Sequence, residues 1–347
     1  MIHAIVMAGG KGTRFWPLSR SSRPKQFLTM LGHSTLLDQT IVRLAPYIPA
    51  AQVWVVGSKG HEAFLEPLKE KFPGCHVLYE PMGKNTAACI GWAAIELLKQ
   101  DPDAVMVVLP ADHYIEPASA FRKVIEEAVM IASTEDRGVT IGIHPAYAHT
   151  GYGYIEVGDT HHRVSQVKSF CEKPDEKTAK KYLKTGRYFW NSGIFVWKAK
   201  KILSLFQEHL PAHFNLLEKI AQIDSADTVA LATIFKEFES VSIDYGIMEK
   251  ATTDISMISA NFLWSDIGNW TAIDSFLSQD DNKNAHNGEI ITINSENNLV
   301  YSEKRLVTLV DVHDFIVIDS EDALLILPKR SDQKIRDLVA KLPEKYK

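Results

Sequence analysis

The N-terminus constrains the fold most sharply. An apolar run, Ile2-His3-Ala4-Ile5-Val6-Met7-Ala8, passes directly into Gly9-Gly10-Lys11-Gly12-Thr13-Arg14. Such a run is too short for a secretion signal or a membrane span. It reads as a buried strand opening onto a glycine-rich loop, and the helical pattern at Thr35 to Leu44 makes it the start of a βαβ unit. Apolar runs at Val53 to Val56, Val77 to Tyr79, Val105 to Leu109 and Val139 to Ile143 alternate with helical patterns at Thr86 to Lys99 and Ala118 to Ser133. More helical patterns follow at Glu176 to Lys184, Ala199 to His209 and His213 to Ile223. This alternation predicts an α/β fold: a Rossmann-like mixed, mostly parallel sheet with helices on both faces.

The texture changes after Asp280. A polar stretch, Asp280-Asp281-Asn282-Lys283-Asn284, precedes short β-rich runs at Ile290 to Ile293, Leu299 to Tyr301, Leu306 to Val310, Phe315 to Ile318 and Leu324 to Leu327. We expect a catalytic domain over 1–280 and a small β-rich domain over 281–347. The runs recur about every eight residues, a period that suits a β-helix or a sandwich-like cap. The last segment, Ser331 to Leu342, reads as an amphipathic helix with Ser331 as N-cap.

Composition narrows the partners. With 347 residues, 46% hydrophobic and 23% charged, the chain has the make-up of an ordinary globular protein. A formal net charge of −5 argues against long nucleic acids, but leaves open small phosphorylated substrates that need only a local cationic pocket. Three cysteines, Cys75, Cys89 and Cys171, show no CxxC spacing, and a reducing cytoplasm fits them. The thirteen histidines show no metal-binding spacing and are read as surface or packing residues.

The glycine loop lets backbone N–H groups approach phosphate closely, with Arg14 and Lys25 adding positive charge. Its spacing is neither that of a P-loop nor that of a dinucleotide fingerprint. Glu80, Asn85 and Thr86 follow the strand ending near Tyr79, which places them in the crevice beyond strand carboxyl ends. A base edge fits there: guanine offers N1–H and a 2-amino group to a carboxylate, and an asparagine amide can donate or accept. Asn85 and Thr86 are equally suited to capping the next helix. Asp112 follows the buried run Val105 to Leu109, where a lone carboxylate asks for a compensating cation.

Longer blocks carry a resemblance. Gly9-Gly10-Lys11-Gly12-Thr13-Arg14-Phe15-Trp16-Pro17-Leu18-Ser19, then Arg23-Pro24-Lys25-Gln26-Phe27, looks like the opening of the sugar-phosphate nucleotidyltransferases. Its Phe-Trp-Pro-Leu-Ser variant is similar to the mannose-1-phosphate guanylyltransferases, also called GDP-mannose pyrophosphorylases. Blocks at Glu80 to Ala87, Leu109 to His113, Thr150 to Ile155, Phe170 to Pro174, Trp190 to Phe195, Ser242 to Lys250 and Trp264 to Trp270 resemble that family in the same order.

The resemblance implies that GTP and alpha-D-mannose 1-phosphate give GDP-mannose and pyrophosphate. Nucleotide binding falls to Ala8, Gly9, Gly10, Gly12, Thr13, Arg14, Lys25, Glu80, Asn85 and Thr86. Sugar-phosphate binding falls to Gly153, Glu172, Lys173 and Asn191, and Mg2+ to the pair Asp112 and Asp266. Arg14, Lys25, Asp112, Lys173 and Asp266 are the implied catalytic set. The β-rich segment is implied to be a left-handed β-helix supporting a homodimer. No isomerase domain follows, so we expect a monofunctional enzyme. Another sugar 1-phosphate or nucleotide donor, or a silent regulatory subunit, are the competing readings.

Overall fold

The computed structural model describes residues 1–10 and 12–347; Lys11, quoted in the glycine-rich loop, lies outside the described residues. The chain divides into two compact units. The first comprises Met1–Gly9, Thr40–Ala111 and Ile115–Trp264; the second comprises Gly10–Gln39, Asp112–Tyr114 and Ser265–Lys347.

The first unit is built on strands β1 (Ile2–Ala8), β2 (Val53–Ser58), β3 (His76–Glu80), β4 (Val105–Pro110), β5 (Gly138–Ile143), β6 (Tyr154–His161), β7 (Val164–Cys171), β8 (Tyr188–Lys198) and β9 (Ile255–Ala260). They form one sheet in the order β3-β2-β1-β4-β8-β5-β9-β7-β6. Pairing is parallel from β3 to β4 and between β5 and β9. It is antiparallel on both sides of β8 and within the β6–β7 hairpin. The β1, β2 and β4 runs are apolar almost throughout because helices shield them from water.

Those helices are α1 (Asn85–Gln100), α2 (Ala118–Glu135), α3 (Glu176–Thr185), α4 (Ala199–His209), α5 (Pro211–Gln222) and α6 (Thr228–Glu237). α1 is buried from Ala87 through Leu97, and α4, α5 and α6 join its core through Phe206, Leu217 and Phe235. A helix enclosed on so many sides carries small residues where neighbours approach, which accounts for the Ala pairs of α1. Among the described residues no helix is long and apolar enough to cross a membrane.

The second unit holds the β-rich segment. β10 (Ala285–Asn287), β12 (Leu299–Ser302) and β14 (Phe315–Asp319) stack in parallel, as do β11 (Ile290–Ile293) and β13 (Val307–Val310); β15 (Leu324–Pro328) closes antiparallel on β14. Parallel rungs decide for a β-helix over a sandwich. Each full coil supplies two strands, which produces the eight-residue recurrence in the sequence. Coils are pinned in phase by Asn294 donating to Asp311 and Asn297 donating to Asp314, each pair 17 residues apart. All four hold left-handed backbone, a conformation Asn and Asp tolerate. Inside, the amide of Asn298 bridges the Asn284 side chain, the Val312 carbonyl and the Phe315 N–H.

One local expectation is corrected. The last helix, α7, spans Ile335–Lys341, and Ser331 is not its N-cap. Ser331 sits in a 3-10 turn over Lys329–Lys334, because Asp332 turns inward to accept from the Thr271 N–H at 2.8 Å and its hydroxyl at 2.7 Å.

Candidate functional site

Within the second unit a cavity of about 260 Å³ is lined by Gly12, Thr13, Arg14, Lys25, Asp112, His113, Asp266, Ile267, Gly268 and Arg336, with Phe15 beside them. The loop reaches it through Gly12, whose φ of 57° is left-handed. A side chain there would also strike Lys25, its Cβ lying 2.5 Å from the lysine Cβ, so glycine answers both demands. Behind the loop, Phe15 packs edge-on against Trp270 at 5.2 Å, and the Trp270 indole donates to the Trp16 carbonyl. Trp270 is fully buried; it supports the pocket from beneath and does not line it.

Lys25 is only 4% exposed. Its ammonium donates to Asp112 Oδ2 at 2.9 Å and to the Asp266 carbonyl. Burial pushes the Asp112 carboxyl up, but attraction to Lys25, then to His113, brings it below the usual carboxylate range. The cation that Asp112 asks for is therefore first a lysine. Arg14 Nη1 donates to the Gly268 carbonyl at 3.0 Å. Between them Ile267 is held at φ 42°, fully buried, with Ser265 Oγ accepting its N–H. A β-branched residue in left-handed backbone is strained, and strain of this kind collects at ligand-binding turns.

The fit of a divalent ion rests on the donor set. Among the described residues no group of three or more His, Cys, Asp or Glu stands ready to hold a metal. Asp112 and Asp266 line one pocket, and two carboxylates completed by phosphate oxygens and waters suit magnesium, which keeps much of its own hydration.

In the first unit, Glu80 ends β3 and is 4% exposed. Its Oε1 is buried with no hydrogen-bond partner among the described residues, and burial pushes the carboxyl up to about 7. A raised acid prefers its neutral form, so this group favours the fold at low pH and ceases to as pH climbs from 4.5 through about 7. Glu80→Gln is expected to stabilise the free protein by up to ~3 kcal/mol near pH 8. Urea melts at the two pH values check this: the gain should vanish near pH 4.5, and an equal gain at both would remove the ionisation argument.

Asn85 opens α1 at φ 67°. Its side-chain oxygen accepts the Thr86 N–H at 2.9 Å. Thr86 is already engaged, since its hydroxyl accepts from Ile243 N–H at 2.8 Å. Neither is the N-cap, which is Lys84.

A second constellation in the same unit gathers Gly153, Glu172, Lys173 and Asn191. Glu172 lies across Gly153, where a Cβ would come within 2.4 Å of Oε1; only glycine permits that approach. Asn191 stands where β8 bulges against β5. Its amide donates to Asp244 Oδ1 at 2.7 Å and accepts from Gly193 N–H at 3.0 Å. Lys173 adopts left-handed backbone directly before Pro174, contrary to the extended form that a following proline favours. Its exposed ammonium lies 3.5 Å from Glu172.

Sequence reasoning missed three groups. Asp244 begins a single π-helical turn, Asp244–Met248; burial, then the neighbouring Glu172, push its carboxyl up to about 6. Its place inside the matched block Ser242 to Lys250 was the available signal. His113, beside Asp112, and Arg336, from the last helix, line the first cavity; His113 ends a matched block that could have marked it, and no local pattern marked Arg336.

Comparison with known proteins gives the family. A family model described as nucleotidyl transferase matches residues 3–283, and one described as a MannoseP isomerase/GMP-like beta-helix domain matches 288–342. The chain is 35% identical to mannose-1-phosphate guanylyltransferase 2 of Escherichia coli O157:H7, over 98% of this chain and 73% of that one. It is 35% identical, with the same coverage, to the mannose-1-phosphate guanylyltransferase of Klebsiella pneumoniae. A crystal structure from Thermus thermophilus, described as a mannose-1-phosphate geranyltransferase, superposes with a TM-score of 0.90 at 33% identity over 98% of both chains. With sequence, fold and family models in accord, the chain belongs to the mannose-1-phosphate guanylyltransferase family of sugar-phosphate nucleotidyltransferases.

Proposed function

We propose that the chain forms GDP-mannose and pyrophosphate by in-line attack of a phosphate oxygen of alpha-D-mannose 1-phosphate on the α-phosphorus of GTP. The observation that carries this reading is the cavity in which Arg14, Lys25, Asp112 and Asp266 converge. The P–O bond to the nucleophile forms as the bond to the β-phosphate oxygen breaks, and the pair of electrons leaves on pyrophosphate. Transfer of this kind asks the protein for alignment and charge stabilisation, with no covalent intermediate.

The loop Ala8, Gly9, Gly10, Gly12 and Thr13 offers backbone donors to the triphosphate. Arg14 holds the departing phosphates with a planar fork and Lys25 with a point charge. Mg2+, held by Asp112 and Asp266, supplies charge neutralisation at the triphosphate when bound. The unpartnered Glu80 oxygen accepts from guanine N1–H and the 2-amino group, with Asn85 donating to the base edge and Thr86 holding the turn. Glu172 accepts from mannose hydroxyls, Lys173 draws in the sugar phosphate, Gly153 leaves room for the ring, and Asn191 orients Asp244 toward a further hydroxyl.

The catalytic region is assigned to 1–280 and the β-helical region to 281–347, a division supported by the limits of the two family models. A homodimer is supported by apolar side chains left exposed on the β-helix, among them Ile291, Ile293, Val310, Leu324 and Ile326. A cytoplasmic setting is supported by three cysteines that remain free.

The test is a magnesium-supported pyrophosphate-release assay across nucleoside triphosphates and sugar 1-phosphates. GTP with mannose 1-phosphate is expected to give the highest kcat/KM, by about 100-fold or more over UTP and dTTP, because the wrong base leaves buried polar groups unpaired. Preference for UTP or dTTP would overturn the reading.

A further inference from the structure

We propose that Arg336 is a third phosphate-binding cation of this pocket, so that the last helix supplies part of the site that holds the leaving pyrophosphate. The inference rests on the assignment of the cavity to the triphosphate. It starts from charge. Arg14 and Lys25 are formally cancelled by Asp112 and Asp266, all four lining the same cavity. Lys25 is further committed to Asp112 and to the Asp266 carbonyl, and Arg14 to the Gly268 carbonyl. A triphosphate stays anionic with one divalent ion bound. Among the described residues, Arg336 is the lining Lys or Arg left to meet that charge.

Arg336 has no hydrogen bond or ion pair to protein among the described residues, whereas its backbone is fixed on both sides. Just before it, Ile335 is 1% exposed and packs with Phe15, Trp16 and Trp270. Asp332 is tied to Thr271, and Lys329 pairs with Asp274. Beyond the helix, the Tyr346 carbonyl accepts from the Trp16 indole at 2.8 Å. The anchored backbone brings an exposed guanidinium to the lining of the cavity, where its uncommitted planar fork can make bidentate contact with phosphate.

The experiment uses the full chain and four variants: Arg336→Ala, Arg336→Lys, Arg14→Ala, and Arg330→Ala as a cation outside the cavity. Titration calorimetry with inorganic pyrophosphate and magnesium gives affinity, steady-state assays give KM for each substrate, and melting temperature reports folding. Arg336→Ala should weaken pyrophosphate binding and raise KM for GTP by about tenfold or more, leaving KM for mannose 1-phosphate within about twofold. Arg336→Lys should retain part of the effect, because charge survives without the fork. Arg330→Ala should match the parent. If Arg14→Ala loses pyrophosphate and Arg336→Ala does not, Arg336 is a surface residue and the proposed reaction stands. If neither variant loses it, the assignment of this cavity to the triphosphate falls, and this inference falls with it. An Arg336→Ala loss shared equally by both substrates, with a lowered melting temperature, would make its role structural and overturn the proposal.

Discussion

Lys25→Met is expected to cost about 3 kcal/mol of stability and to reduce kcat/KM by two orders of magnitude or more. Lys25 is nearly inaccessible while Asp112 keeps 34% of its side chain exposed, which sets the cost at the low end for a broken buried pair. Removing the ammonium strands the carboxylate more than it forfeits a contact. The sign with pH follows. Asp112 titrates below its ordinary value, so the pair contributes stability above that value and loses it as pH falls through the lowered one. The gap between parent and variant in urea midpoint should therefore narrow as pH falls through that lowered value, where the parent's carboxylate becomes neutral as well. Adding Asp112→Asn to Lys25→Met should recover most of the lost stability and none of the activity. A midpoint unchanged by Lys25→Met would mean that the ion pair does not hold this part of the fold.

Asp266→Asn is expected to fold and to lose turnover on the order of 10²–10³. The strained turn at Ile267 is held by Lys25 donating to the Asp266 carbonyl and by Ser265 accepting the Ile267 N–H. An isosteric amide preserves both bonds and removes the negative charge. Rate measured against magnesium concentration, beside the melting temperature, separates the roles. A curve shifted to higher magnesium with an unchanged melting temperature supports metal holding. A lowered melting temperature with an unaltered curve would remove Asp266 from that role and make it a residue of the turn.

What could be read in the chain depended on how locally each feature is determined. Val53 to Val56 and Val105 to Leu109 announced buried strands because solvent exclusion acts on every residue of a central strand. The helix at Ala199–His209 was visible through its periodicity. The antiparallel insertion of Tyr188–Lys198 between two parallel segments was not, since a strand's pattern records its burial and not the direction of its neighbours. Ser331 illustrates the same limit at a helix start: a good capping side chain ends in a 3-10 turn because Asp332 is drawn to Thr271, which lies far away in sequence. At the site, Glu80, Asp112 and Asp266 were legible within matched blocks. Asp244 lay in a matched block too, but gained its character from burial, Glu172 and Asn191, and Arg336, in a pocket assembled by distant segments, had no local signature at all.

The pairing of Asn294 with Asp311 and of Asn297 with Asp314 turns length itself into a fixed quantity of the C-terminal arm. Slipping one residue into this coil would set Asn294 opposite Val310 and Asn297 opposite His313, and both pairs would be lost. Coils of 14 residues, Ala285 to Leu299, and of 17, Leu299 to Ile316, both bring strand onto strand in register, so only a complete coil restores the phase. The arm can therefore change size only by complete windings, as a spring does, and the exposed Asn–Asp pairs at its corner serve as the gauge that rejects fractional ones.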